Sequence, residues 1–149
     1  MNISLRSHGW LLLLIPALAG CAASSSDEER ILAQIEAMTE AIEAGHVRDF
    51  MRPVAEDFIA ARGGMDRNGL RALVMRERLA RQSIRVRRIN TEVTLSGSDR
   101  ASASFNALAT GGSGLLPDEG RLWRIETGWR RDDGDWMLIS AAWEPVTAR

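Results

Sequence analysis

Proton transfer requires an imidazole, a carboxylate or a phenol held close to a reacting atom, and beyond residue 20 this chain offers few candidates. It contains no tyrosine, and its one histidine past that point is His46, directly after Gly45. At such a helix junction an exposed structural imidazole is expected over a catalytic one, and no partner acid in the pattern supports a His–Asp dyad. Two carboxylates could face inward. Asp57 precedes Phe58 and could serve as a base, although Glu56-Asp57 at the end of a helix reads more simply as solvated. Glu77 shares a helical face with Leu70, Leu73 and Val74, and pairing with Arg81 four residues on is the plainer expectation. No glycine-rich phosphate loop, paired-histidine metal motif or nucleophile elbow occurs, so no metal and no cofactor is expected. The single cysteine, Cys21, can close no intrachain disulfide and cannot build a thiolate zinc site.

Cys21 has a different use. Residues 1–20 open with Arg6 and His8 and continue as an apolar run from Trp10 to Ala19, shorter than the ~20 residues a membrane-crossing helix needs. This is the pattern of a secretion signal. It ends Leu18-Ala19-Gly20-Cys21, which resembles the box of bacterial lipoproteins, in which small residues admit the signal peptidase and the cysteine sulfur takes a diacylglycerol. The resemblance implies a palmitate-bearing anchor to membrane lipid at Cys21, stable because two or three acyl chains each contribute ~0.8 kcal/mol per buried methylene. Ala22, where inner-membrane retention in enterobacterial lipoproteins uses Asp, implies a periplasm-facing protein of the outer membrane. The chain then divides into a signal peptide (1–20), a lipidated tether (21–26), one domain (27–144) and a short tail (145–149).

The elements of that domain follow from spacing. Ser26-Asp27-Glu28-Glu29 reads as a capping box, and Ile31, Ile35, Met38 and Ile42, widened by Leu32, recur at helical spacing up to Gly45, which predicts a helix over 27–44. Val47, Phe50, Met51, Val54 and Phe58 continue the period as a short second helix bent or limited by Pro53. Phe58 to Ala61 reads as extended before a Gly63-Gly64 turn, and a third helix is expected over about 68–82. The remainder is β. Ile84 and Val86 give way to Ile89, Thr91, Val93 and Leu95, a change of parity that predicts a bulge around Arg87-Arg88. Ser96 to Asp99 is a turn. Ala101, Ala103, Phe105, Ala107 and Ala109 then alternate with polar residues, 111–120 is a loop, and Trp123, Ile125, Thr127 and Trp129 share a face. Asp133-Gly134 closes a hairpin onto a last strand from Trp136 to Trp143.

Helices first and long strands after indicate an α+β fold with helices packed on an antiparallel sheet. This order, with Ala41-Ile42-Glu43-Ala44-Gly45-His46, the Phe58 region and the closing Trp-Arg-Arg-x-Asp-Gly-x-Trp hairpin, resembles the nuclear transport factor 2-like superfamily and its SnoaL-like branch over nearly all of 27–144. The resemblance implies a cone, three N-terminal helices wrapped by a curved sheet, whose open end is a pocket. It also implies that enzymes of the group place carboxylates, histidines or tyrosines inside the cone. Many SnoaL-like relatives carry polar residues along the final strand, where this chain has Ser140-Ala141-Ala142-Trp143-Glu144.

In such a cone Trp123 and Trp129, facing the alanine row, with Phe58, Phe105, His46 and Asp57, are the candidate pocket residues for a small apolar ligand, although strand aromatics are more often core. The expected role is binding of a small apolar ligand or a protein partner without chemistry of its own; the alternatives are a SnoaL-like isomerase, dehydratase or hydrolase using His46 or Asp57, and a structural module for envelope assembly that forms a homodimer through the outer sheet face. Composition narrows the partners. The chain has 149 residues, 45% hydrophobic and 26% charged, which fits one globular domain. A formal net charge of -1 lacks the cationic excess that sequence-independent nucleic-acid binding needs. Charge is nonetheless segregated, with nine acids and three Arg in 27–57 against nine Arg and two acids in 58–88. These stretches are expected to neutralise each other; the sharper reading has Arg71, Arg78, Arg85 and Arg87 facing anionic headgroups or an acidic partner.

Overall fold

The structure is a computed structural model that describes residues 26–60, 63–81, 83–112 and 119–147; the signal segment, Cys21 and the centre of the 111–120 loop lie outside them. Helix α1 (Asp27–Ala44) begins as its sequence requires. The Ser26 hydroxyl accepts from the Glu29 amide at 3.2 Å, and the Glu29 carboxylate accepts from the Ser26 amide at 2.8 Å, so two amides with no helical partner are satisfied reciprocally. It ends at Gly45, whose φ of +80° lets the His46 amide reach back to the Ala41 carbonyl at 2.8 Å. Its buried stripe is Ile31, Ile35, Met38 and Ala41.

The expected second helix is much shorter than its periodicity indicates. Helix α2 covers only Val47–Phe50, and strand β1 takes over at Val54–Ala60. Val54, Phe58 and Ala60 are buried while Glu56, Asp57 and Ile59 are exposed, a strand pattern that the spacing of Val54 and Phe58 mimics at helical period. The Pro53 carbonyl accepts from the Leu138 amide at 2.8 Å and so starts the strand pairing. Helix α3 (Arg67–Ala80) follows a tight return, with Asp66 as its N-cap accepting from the Gly69 amide at 2.8 Å.

Four long strands complete the sheet: β2 (Ser83–Ser96), β3 (Arg100–Gly112), β4 (Glu119–Asp132) and β5 (Asp135–Pro145), in the spatial order β1-β5-β4-β3-β2. β2 to β5 are an antiparallel meander, but β1 lies parallel to β5, so the sheet is mixed and not purely antiparallel as expected. The bulge also moves. Residues 84, 86 and 88 pair with 111, 109 and 107, whereas 93 and 95 pair with 103 and 101, so parity changes between Ile89 and Glu92 and not at Arg87-Arg88. Asn90 makes the change with φ +54°, a left-handed conformation that asparagine tolerates better than most residues. Arg88 thereby turns inward toward Glu36 of α1, and Ile89 turns outward.

The core lies between α1, α3 and the inner sheet face. Its largest fully buried side chains are Trp129, Trp136 and Phe58, with Ile31, Met51 and Val54; burying one large apolar side chain contributes ~1.5–3 kcal/mol. The Trp129 indole donates to Thr127 Oγ1 at 2.9 Å, and that hydroxyl donates to the Ala103 carbonyl at 3.1 Å, so the indole nitrogen is satisfied inside the apolar layer. Among the described residues no helix is long and apolar enough to cross a membrane.

Candidate functional site

At the other end of the sheet the helices and strands diverge around a cavity of about 550 Å³. Its floor is a sheet surface. Ile125 pairs with Trp143, Trp123 pairs with Ala107, and Ala109 lies between Val86 and Arg121, so two indoles stand beside a row of small residues that leaves the space above it open. The opposite wall is Ile42 of α1, Phe50 of α2, and Leu73 and Val74 of α3, with Ile84 closing the side. The polar groups gather on one side: Arg76 and Glu77 from α3, Arg81 after it, Thr110 and Gly111 at the end of β3, and Arg121 at the start of β4.

Glu77 is held by two arginines. Its Oε2 is 3.5 Å from Arg81 Nε and its Oε1 is 3.4 Å from Arg76 Nη2, so the expected pairing with Arg81 is present. Arg121 is different. Its guanidinium lies 5.7 Å from the Trp123 ring centroid, and it pairs with no carboxylate among the described residues. Gly111 gives Arg81 its room, since a Cβ on that glycine would stand 2.8 Å from Arg81 Cδ.

Of the candidate pocket residues only Trp123 lines this cavity. Trp129 is 1% exposed in the core although it shares a face with Trp123, because six residues along a strand separate them by ~20 Å. Phe58 is fully buried, and Phe105 packs against the same core. His46 stands at the surface with its Nδ1 3.8 Å from Asp49. Asp57 points away from the cone and accepts from Arg130 Nη1 at 2.7 Å and Nη2 at 3.1 Å. That hydrogen-bonded guanidinium holds the Asp57 carboxyl below the ordinary carboxylate range, so it stays ionised and serves as an ion-pair partner. Asp132 accepts from the other edge of Arg130 at 2.7 Å and is lowered for the same reason. A base inside the cone is therefore neither His46 nor Asp57. The residues the sequence did not single out for the cavity are Trp143, Phe50 and the three arginines; Trp143 could have been found from its parity with the inward-facing Ala141.

The segregated charges partly meet. Glu36 pairs with Arg88, and Glu43 pairs with Arg85 at 3.6 Å while accepting from the Val86 amide at 2.7 Å. Arg71 and Arg87 are exposed. The outer sheet face is mainly polar, with Ser102, Ser104, Arg124 and Glu126 exposed on it. Among the described residues no three His, Cys, Asp or Glu side chains come together as a metal site would require.

Neither a family sequence model nor a curated protein matches the chain. Solved structures do. A candidate dehydratase of the NTF2-like (nuclear transport factor 2-like) family from Streptomyces avermitilis superimposes with a TM-score of 0.71 at 20% identity, covering 82% of this chain and 97% of its own. An NTF2-like protein of unknown function from Pseudomonas putida KT2440 gives 0.69 at 20% identity, covering 81% and 87%. A candidate scytalone dehydratase from Novosphingobium aromaticivorans gives 0.66 at 11% identity, covering 80% and 83%. The chain has the nuclear transport factor 2-like fold, α+β with its helices against a curved five-stranded sheet.

Proposed function

We propose that the protein is a membrane-tethered binding domain that takes a small, largely apolar ligand into the open end of its cone and performs no chemistry on it. The observation that carries this is the cavity itself. About 550 Å³ lies within the ~300–1,000 Å³ typical of small-molecule sites, and nine of its fifteen lining residues are apolar. General acid–base chemistry there would need a free base, and the one carboxylate lining the cavity among the described residues, Glu77, is flanked by the guanidinium groups of Arg76 and Arg81. The similar folds described as candidate dehydratases support the cavity as a place for small molecules; the binding role here rests on the lining. The tether is Cys21, acylated after Gly20, which holds the domain on the periplasmic side of the outer membrane.

Two experiments test the two parts. Titrating apolar small molecules into the purified protein is expected to change tryptophan emission and raise the melting temperature; a panel of aliphatic and aromatic compounds that moves neither refutes binding. Palmitate labelling is expected to mark the wild type and not Cys21→Ser, which shifts to the soluble fraction. Equal membrane retention of the two would remove the anchor from the proposal.

A further inference from the structure

The cavity is apolar in its depth and cationic on one side, and that division specifies its occupant more narrowly. Among the described residues three arginines and a single carboxylate line the cavity. Glu77 takes Arg76 and Arg81 as partners, but at 3.4–3.5 Å these contacts are longer than the ~2.7–2.9 Å of a tight charge-assisted pair. Arg121 has an indole face and no acid beside it among the described residues. Arg81 and Arg121 reach the same place from different elements. Arg81 follows α3 and lies over Gly111, while Arg121 pairs through its backbone with Ala109, two residues earlier on β3. Both border a floor made of Trp123, Ile125 and Trp143.

Resting on the ligand-binding reading, we infer that the ligand is an anionic amphiphile whose apolar body lies over Trp123 and Trp143 and whose oxyanion head is bound by Arg121 and Arg81. An arginine fork matches a carboxylate or a phosphate monoester through paired N–H donors, and partial removal from water strengthens such bonds. Size agrees. At about 30 Å³ per water-sized unit, 550 Å³ holds on the order of 15–20 heavy atoms, enough for a single medium-length chain or a two-ring acid. A neutral apolar ligand would leave an uncompensated positive charge at the cavity edge, and a cation would meet repulsion.

The full chain carrying Cys21→Ser, which has no acyl group of its own, is titrated with decanoate, decyl phosphate and decanol below their aggregation thresholds, with tryptophan emission as the readout. At least one anion is expected to bind tenfold or more tighter than decanol, and the choice between decanoate and decyl phosphate identifies the head. In R81Q/R121Q the ratio of anion to alcohol affinity is expected to fall toward one, while R100Q, exposed at the opposite end of β3, keeps it. Should the double variant not fold, R121Q alone carries the comparison, since the Arg121 side chain makes no ion pair with any described residue. Decanol binding as tightly as both anions would overturn the anionic head and leave the cavity's binding role standing. Retention of the anion advantage in the folded arginine variants would overturn the assignment to Arg81 and Arg121. Failure of all three compounds would overturn the ligand-binding reading with it.

Discussion

The first turn of α1 is joined to the far end of the sheet through one carboxylate. Asp27 Oδ1 accepts from the Trp136 indole nitrogen at 3.1 Å, pairs with Arg131, and lies 3.4 Å from Arg30. The Arg131 guanidinium covers the Trp136 ring at 5.0 Å. Asp27→Ala removes a hydrogen bond to a charged acceptor, worth about 1.5–3 kcal/mol when its buried partner is left unpaired. It also removes a half-exposed ion pair worth ~0–1 kcal/mol and a first-turn acid worth ~0.3–1 kcal/mol. Allowing for overlap, the loss is about 2–4 kcal/mol, which for a domain of this size lowers the melting temperature by roughly 6–15 °C. Thermal and urea unfolding of Asp27→Ala, Trp136→Phe and the double variant measure it as a cycle. A coupling of about 1–2 kcal/mol is expected between the two positions. If Asp27→Ala lies within ~0.5 kcal/mol of wild type, or the two changes simply add, the carboxylate is not the link between helix and hairpin.

Three further outcomes are expected. Trp123→Phe and Trp143→Phe together should abolish most of the ligand-induced change in emission while Trp129→Phe leaves it in place, as titrations of each variant would reveal, because only the first two line the cavity. Asp57 has a folded carboxyl lowered by Arg130, so its stabilising pairing is present above the unfolded value of ~3.9 and is lost as pH falls through the lower folded value. Asp57→Asn should therefore unfold more easily than wild type at neutral pH, with the two urea midpoints converging below about pH 4; a gap that persists in acid would contradict the ion pair. Asn90→Val, a β-branched residue at φ +54°, should cost about 1–2 kcal/mol and Asn90→Gly almost nothing, and equal midpoints for the two would refute the left-handed bulge.

Local chemistry made parts of this fold readable. Ser26 with Glu29, and Asp133 with Gly134, each carry their own geometry in adjacent side chains, and the helix and hairpin begin and turn where those residues stand. What could not be read was set by distant chain. Val54 and Phe58 fit a helix as well as a strand, and only pairing with β5, some eighty residues on, selects the strand. The bulge shifted to Asn90 because Glu36 of α1 receives Arg88 on the inner face, a contact invisible to periodicity. The site suffered most. Shared parity placed Trp123 and Trp129 on one face, but parity carries no depth, and the taper of the cone puts one at the open end and the other in the core. Arginines attracted attention as a basic stretch of sequence, whereas Arg81 and Arg121 meet only through the β3 register.

The position of β5 between β1 and β4 has a consequence for how the molecule is made. The last of these five strands in chain order is the keystone of the sheet, so β1 has no strand partner until residues 135–145 arrive. A chain cut short before that point exposes two strand edges, on β1 and β4, that β5 would cover, the kind of surface that recruits aggregation or proteolysis. Truncation ahead of β5 is thus expected to yield a chain that aggregates or is degraded, as a consequence of the strand order.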